Sequence, residues 1–156
     1  MTKLKKIFIF PIFFLFFLSC GNTPIFSKKD VNFSIENIKF FGDKDVNEKI
    51  NYSLSNYKNK SDKEKKVSLI INSSKKTYVT SKNPKGEAQT NKINIDTNVK
   101  IILSENNFLV KNFYKSSTYA VIDRKSKQKT IENKLTENLS NEIALQIIFE
   151  IIKNTK

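Results

Sequence analysis

The chain has 156 residues, with 28 lysines and arginines against 15 acidic residues, a formal net charge of +13 and no histidine. With one cysteine, three glycines and three prolines, it lacks a Cys–His or Ser–His–Asp nucleophile, the usual zinc ligands and a glycine-rich phosphate loop. The residues offer no site for enzyme chemistry and call for no metal or cofactor, and a lone cysteine cannot build a disulfide framework.

The first element is a leader. Lys3, Lys5 and Lys6 precede an uncharged run from Ile7 to Leu18, and Ser19-Cys20-Gly21 follows. A cationic stretch, a short apolar run, a small residue and then cysteine is the layout of a bacterial lipoprotein signal. Residues 1–19 are expected to be removed, leaving Cys20 as the lipidated first residue. A membrane span needs roughly 20 apolar residues, so this run, interrupted by Pro11, is too short. Ordinary secretion fits less well, because Phe17 and Leu18 are large where that cleavage prefers small side chains. Phe17 also stands where a lipoprotein signal more often has leucine. One acyl chain holds a protein only marginally on a bilayer, so anchoring through Cys20 implies several chains.

Loss of the three leader lysines leaves a charge of about +10, nearly all lysine. Such an excess attracts polyanions over a Debye length or so. For an exported lipoprotein the anions at hand are phospholipid head groups and phosphorylated glycolipid, and nucleic acid is not an expected partner.

Residues 20–30 read as a tether, with Gly21, Pro24 and a polar Ser27–Asp30 stretch around an apolar Pro24-Ile25-Phe26. A single domain is expected over 31–156. Val31, Phe33 and Ile35 alternate as a half-buried strand, and Ile38, Phe40 and Phe41 continue it after a change of face at a bulge. Gly42 and Asp43 break the strand. Asp45 and Glu48 have capping-box spacing, and Val46, Ile50, Leu54 and Tyr57 form one helical stripe.

Lys58 to Lys66 reads as a charged loop. Val67, Leu69, Ile71, Ser73, Lys75, Thr77 and Val79 alternate as a second strand, and a turn over 81–87 follows. Ile93, Ile95, Thr97, Val99, Ile101 and Leu103 hold a strict period of two through which no helix can be drawn. After a turn at 104–107 comes a strand whose inward set is either Phe108, Val110, Asn112 and Tyr114 or Leu109, Lys111 and Phe113. These three strands predict an antiparallel meander. Beyond Asp123–Lys129, Ile131, Leu135, Leu139, Ile143 and Ile147 step by four along a final helix. Leu145, Ile148, Ile151 and Ile152 are expected to widen its apolar face.

The order is β-α-β-β-β-α. It predicts an α+β two-layer sandwich: a four-stranded mixed sheet with both helices on one face. The first helix joins strands one and two, a candidate right-handed crossover. The other face carries lysine, asparagine and threonine and would be wet or offered to a partner.

Several stretches together resemble the lipopolysaccharide-assembly lipoprotein LptE family, in a short form like those of some alphaproteobacteria. They are Cys20-Gly21 with Phe26 beyond it, the Asp43–Tyr57 helix, and Lys85-Gly86-Glu87-Ala88 leading into Ile93–Leu103. Ser117-Thr118-Tyr119-Ala120 before the last helix completes the match, which rests on order and length more than on any one motif. The resemblance implies an outer-membrane lipoprotein that plugs the LptD β-barrel, assists its assembly and takes part in lipopolysaccharide transport to the outer leaflet. It further implies lipopolysaccharide contacts at Lys82 and Lys85 in the hairpin and at Arg124 and Lys125 before the last helix. Gly21 after the cysteine, rather than aspartate, is similar to lipoproteins that move on to the outer membrane. The residues alone leave open a free-standing lipid-binding or chaperone lipoprotein facing the periplasm. That reading needs a dry internal pocket, whereas the apolar residues suffice for one ordinary core.

Overall fold

Two helices lie across one face of a four-stranded sheet in a computed structural model that describes residues 31–155. The leader, Cys20 and the tether lie outside the described residues. The elements are β1 (Phe33–Gly42), α1 (Lys44–Leu54), β2 (Lys65–Lys82), β3 (Ala88–Ser104), β4 (Asn107–Ala120) and α2 (Lys125–Asn154), with a 3-10 turn at Ser55–Tyr57. Sheet order is β1-β2-β3-β4. β1 and β2 run parallel, and β2, β3 and β4 form the expected antiparallel meander. α1 packs over β1 and β2, and α2 over β3 and β4.

β1 begins at Phe33, not Val31, and its change of face is a real bulge. Ile35 pairs with Val67, Glu36 is skipped, and Ile38 pairs with Leu69. Two isoleucines three residues apart thus face the same helices, which an unbroken strand with a period of two cannot achieve.

The cap of α1 corrects the sequence reading. Asp43, not Asp45, is the N-cap, accepting from the Val46 N–H at 3.0 Å. Asp45 sits in the first turn, where its charge suits the helix dipole, and pairs with Lys75 at 2.7 Å. Val46, Ile50 and Leu54 are fully buried. Tyr57 has left the helix and stacks on Phe33, with ring centroids 5.7 Å apart and planes 9° from parallel. Each such buried aliphatic contributes roughly 1.5–3 kcal/mol relative to exposure.

β3 behaves as its alternation predicts: Ile93, Ile95, Thr97, Val99 and Ile101 are all buried under the helices. On β2 the matching set is buried only from Val67 to Ser73. α1 starts beside Ser73, where the Asp43 N–H donates to the Ser73 carbonyl at 2.9 Å, and the far half of β2 runs on beyond its cover, leaving Thr77 and Val79 exposed.

α2 starts at Lys125, several residues earlier than the apolar spacing suggests. Leu139, Ile143 and Ile147 of the predicted stripe are buried, and Ala144, Ile148 and Ile151 widen it. Leu145 is not part of it and is exposed. At about 100° per residue, Leu145 falls on the far side of an arc that runs from Ile143 through Ile147 to Ile148.

The open phase of β4 is resolved in favour of Leu109, Lys111 and Phe113. Their β3 partners, Ile101, Val99 and Thr97, are buried under the helices, and directly paired residues share a face. The lysines on this inner face are tied to α2: Lys111 to Glu150 at 3.4 Å and Lys115 to Glu142 at 2.8 Å. The Tyr119 hydroxyl donates to Glu132 Oε1 at 2.7 Å. Four strand residues advance about 13 Å and eight to ten helix residues about 12–15 Å. The two antiparallel elements therefore keep in step along three cross-links.

Candidate functional site

Two surfaces stand out: one end of the sheet, where basic residues gather, and the face left bare by the helices.

The basic end is built from the β2–β3 turn and the β4–α2 connection. In the turn, Gly86 N–H donates to the Asn83 carbonyl at 2.9 Å, closing a turn with Pro84 at its second position, and Asn83 N–H donates to the Glu87 carbonyl at 2.9 Å. Asn83 Oδ1 accepts the N–H groups of Lys85 and Glu87, both at 3.0 Å. Gly86 supplies the positive φ of +84° that this type of hairpin requires, and the space around its Cα is open. Lys82 and Lys85 stand exposed on this well-tied loop.

The other half is fixed to the same end. Val121 N–H donates to the Gln89 carbonyl at 2.8 Å, one step past the Thr90–Ala120 pair. Gln128 Oε1 then accepts the Ile122 N–H at 3.0 Å, and Gln128 Nε2 donates to Glu132 Oε1 at 3.2 Å. Burial, and then Glu132, push the Tyr119 hydroxyl above its ordinary pKa of 10.0. A chain clamped at 119, 121 and 122 must enter α2 at a fixed place.

That place carries an unusual charge pattern. Arg124 is the N-cap residue but lends no side-chain cap, and no acidic residue occupies the first turn. Lys125 is the first helical residue, and Lys127 and Lys129 follow, all exposed. Cations at a helix N-terminus oppose the dipole, and the first N–H groups of a helix lack partners of their own. The result is a local excess of donors and positive charge. Among the described residues, none of Lys82, Lys85, Arg124 and Lys125 is in an ion pair.

The structure thus brings the four basic residues named from the sequence to one end of the sheet, and it adds Lys127 and Lys129. The sequence does not single these two out, because the apolar spacing of α2 begins only at Ile131 whereas the helix begins at Lys125. Between hairpin and connection lies an open cleft of about 550 Å³ bordered by Asn83, Glu87, Gln89 and Asp123. Its two carboxylates keep the end from being uniformly basic.

The bare sheet face is less polar than its sequence suggests. Lys76, Lys92, Asn94 and Asn98 are there, as expected, but so are Phe41, Tyr78, Phe108, Val110 and Tyr114, all roughly half exposed. Lys100 Nζ sits 3.9 Å from the centre of the Phe108 ring. Asn98 donates to Asn112 at 2.6 Å, next to a groove of about 250 Å³ lined in part by Asn72, Asp96 and Tyr114.

Among the described residues no helix is long and apolar enough to cross a membrane, and no three acidic or cysteine side chains converge as metal ligands do.

No family model matches the chain, and no curated protein matches it in sequence. Solved structures do match. Rare lipoprotein B from Shewanella oneidensis superposes with a TM-score of 0.55 at 12% identity, over 77% of this chain and 98% of that one. A lipoprotein B of Nitrosomonas europaea gives 0.56 at 11% identity, over 85% and 93%. A minor lipoprotein of Acinetobacter baumannii gives 0.53 at 12% identity, over 77% and 92%. At such identities the likeness is one of fold, and the fold of residues 31–155 is the one these bacterial lipoproteins share.

Proposed function

We propose that the protein is a lipid-anchored envelope lipoprotein that works as a non-enzymatic assembly and transport subunit of the LptE type. In this reading Cys20 carries the acyl chains, an LptD-type outer-membrane β-barrel is the protein partner, and lipopolysaccharide is handled at the basic end. The reading joins the lipoprotein leader in the sequence, the fold shared with solved lipoproteins, and the resemblance of Cys20-Gly21 and Ser117-Thr118-Tyr119-Ala120 to that family.

The observation that carries it is the gathering of Lys82, Lys85, Arg124 and Lys125 at one end of the sheet, although about 40 residues separate the two pairs in sequence. Phosphate groups of a glycolipid are the anions such a cluster fits, and lysine stems can lie along its apolar parts while their ammonium groups meet charge. Each exposed contact is worth on the order of 0–1 kcal/mol, so binding must come from the group acting together. A barrel lumen is polar and wet, and the exposed lysine- and asparagine-bearing surfaces over a self-sufficient core suit a resident of such a space.

Extraction of envelopes in mild detergent and capture of the full chain tests the reading. A large barrel protein in stoichiometric amount is the expected companion. Recovery of a monomer without one, or with tightly held lipid in its place, would overturn the assembly role in favour of a free-standing carrier. Mass spectrometry of the same material reads the lipid on Cys20, and Cys20→Ser is expected to abolish it.

A further inference from the structure

The two edges of the sheet are treated differently. The outer edge of β1 is partly closed. Asn59 N–H donates to the Ile35 carbonyl at 3.1 Å, Lys58 bridges to Ile35, and Lys60 N–H donates to Ser34 Oγ at 2.7 Å. The bulge at Glu36 disrupts that edge further, and Asn47 Nδ2 takes the Phe41 carbonyl at 2.9 Å. These are the usual devices that keep an edge from pairing with another chain.

β4 has none of them. It runs 14 residues, Asn107–Ala120, without proline or glycine. Its register against β3 is unbroken from Phe108 to Ala120. Among the described residues nothing pairs with its outer edge. The two lysines that could act as gatekeepers, Lys111 and Lys115, are drawn toward α2 by Glu150 and Glu142.

Which groups are free follows from the ladder. In an antiparallel pair, opposed residues alternate between exchanging both hydrogen bonds and exchanging none. Val121 N–H donates to Gln89, its direct opposite one step past Thr90–Ala120, so that pair belongs to the bonded set. Counting back along the unbroken register puts Tyr119, Ser117, Lys115, Phe113, Lys111 and Leu109 in the bonded set. The N–H and C=O groups of Val110, Asn112, Tyr114 and Ser116 therefore point away from the sheet. Side chains of this second set lie on the bare face, among them the half-exposed Phe108, Val110 and Tyr114.

We propose that the outer edge of β4 receives an extended segment of a partner protein as a fifth strand, and that this segment alternates apolar and acidic side chains. The backbone supplies a row of unpaired donors and acceptors, the mode by which an exposed edge recruits a peptide. Directly opposed side chains on one face interact, so apolar positions of the incoming strand meet Phe108, Val110 and Tyr114. Its acidic positions fall on the other face, where they share the ammonium groups of Lys111 and Lys115 with Glu150 and Glu142 of α2. β4 holds two lysines and no acid, in a chain that keeps a charge of about +10 without its three leader lysines. That charge disfavours a second copy of this chain and favours an acidic strand. The inference is independent of the lipopolysaccharide reading, since it uses neither the hairpin turn nor the start of α2.

The test is amide hydrogen exchange on the full chain, in detergent, with a blocked peptide that alternates valine and glutamate. The amides of Val110, Asn112, Tyr114 and Ser116 are expected to exchange fast in the free protein and to slow roughly tenfold or more at saturation, since each gains a backbone partner. Those of β1 should not change. Asn112→Pro removes an outward N–H without touching the β3 ladder, and is expected to weaken the peptide roughly tenfold. Val110→Lys is a second variant should the proline variant fail to fold, and the wild-type exchange result needs neither. Unchanged exchange on adding the peptide overturns the proposal, as does equal protection by a valine–lysine peptide. Protection that rises with protein concentration in the absence of peptide assigns the edge to a second copy and overturns it as well.

Discussion

Tyr119, one residue from the end of β4, donates its hydroxyl to Glu132 Oε1 on the second turn of α2 at 2.7 Å. The bond joins the strand to the helix that covers it, at the edge of the basic end. Burial comes first among the causes that raise the Tyr119 pKa above 10.0, with Glu132 second. Both favour the neutral phenol in the folded state. In the unfolded chain the hydroxyl ionises near pH 10, while the folded protein still holds its proton, so the folded state binds more protons there. Stability is then fully present below pH 10 and falls as pH rises through the folded value. Tyr119→Phe should cost about 1 kcal/mol near neutrality and should flatten the fall above pH 10. Thermal melts of both proteins from pH 8 to 11 check this, and parallel curves would exclude Tyr119 as its source.

The two described glycines with positive φ separate steric from conformational demand. Gly42 has φ +86°, and a Cβ there would run into the Ser73 carbonyl oxygen, which is already held by Asp43 N–H. Gly86 has φ +84° with open space around it. Gly86→Ala should therefore cost about 1 kcal/mol, the left-handed backbone term alone. Gly42→Ala should cost about 3 kcal/mol or more, because the strand or the start of α1 must move. Urea melts give both values, and equal losses would contradict the contact at Ser73.

Ser73 closes a small polar group inside the core. Its hydroxyl donates to Asn47 Oδ1 at 2.8 Å, and Asn47 Nδ2 donates to the Phe41 carbonyl at 2.9 Å. Ser73→Ala strands a buried amide oxygen and should destabilise by about 1–3 kcal/mol. Adding Asn47→Ala removes the stranded group, so the double variant should lose less than the sum of the single variants. Additivity within error would mean the two side chains do not depend on each other.

The parts of this fold that are legible in the sequence are those that hydrophobic burial decides. Ile93 to Ile101 announce β3 because every second residue must leave water, and Val46, Ile50 and Leu54 mark α1 for the same reason. The start of α2 is illegible because Lys125–Thr130 bring no apolar residue to the core, and hydrogen bonds accepted by Gln128 and Glu132 fix that turn. The N-cap is a choice between Asp43 and Asp45, two aspartates equally suited by type, and the chain path at Gly42 decides it. β4 has apolar residues on both faces, so its phase waits on its register against the buried residues of β3. The candidate site follows the same rule. Its hairpin lysines are visible as residues, but their meeting with Arg124 and Lys125 depends on strand register, and Lys127 and Lys129 become part of it only with the earlier helix start.

Lys125 and Lys127 give the sharpest test of the basic end, because stability and binding should move in opposite directions. Both lie exposed in the first turn of α2, which holds no acidic residue. Their charges oppose the dipole, so replacing them by glutamate should stabilise the helix by about 0.3–1 kcal/mol each. If the cluster holds lipopolysaccharide phosphates, the variant Lys125→Glu, Lys127→Glu should bind lipopolysaccharide more weakly, with the difference shrinking as salt rises. A gain in melting temperature together with a loss of binding is the signature of charge kept at a helix start for a ligand. A gain in stability with binding unchanged would reduce these lysines to ordinary solvated charges and place any lipopolysaccharide contact elsewhere.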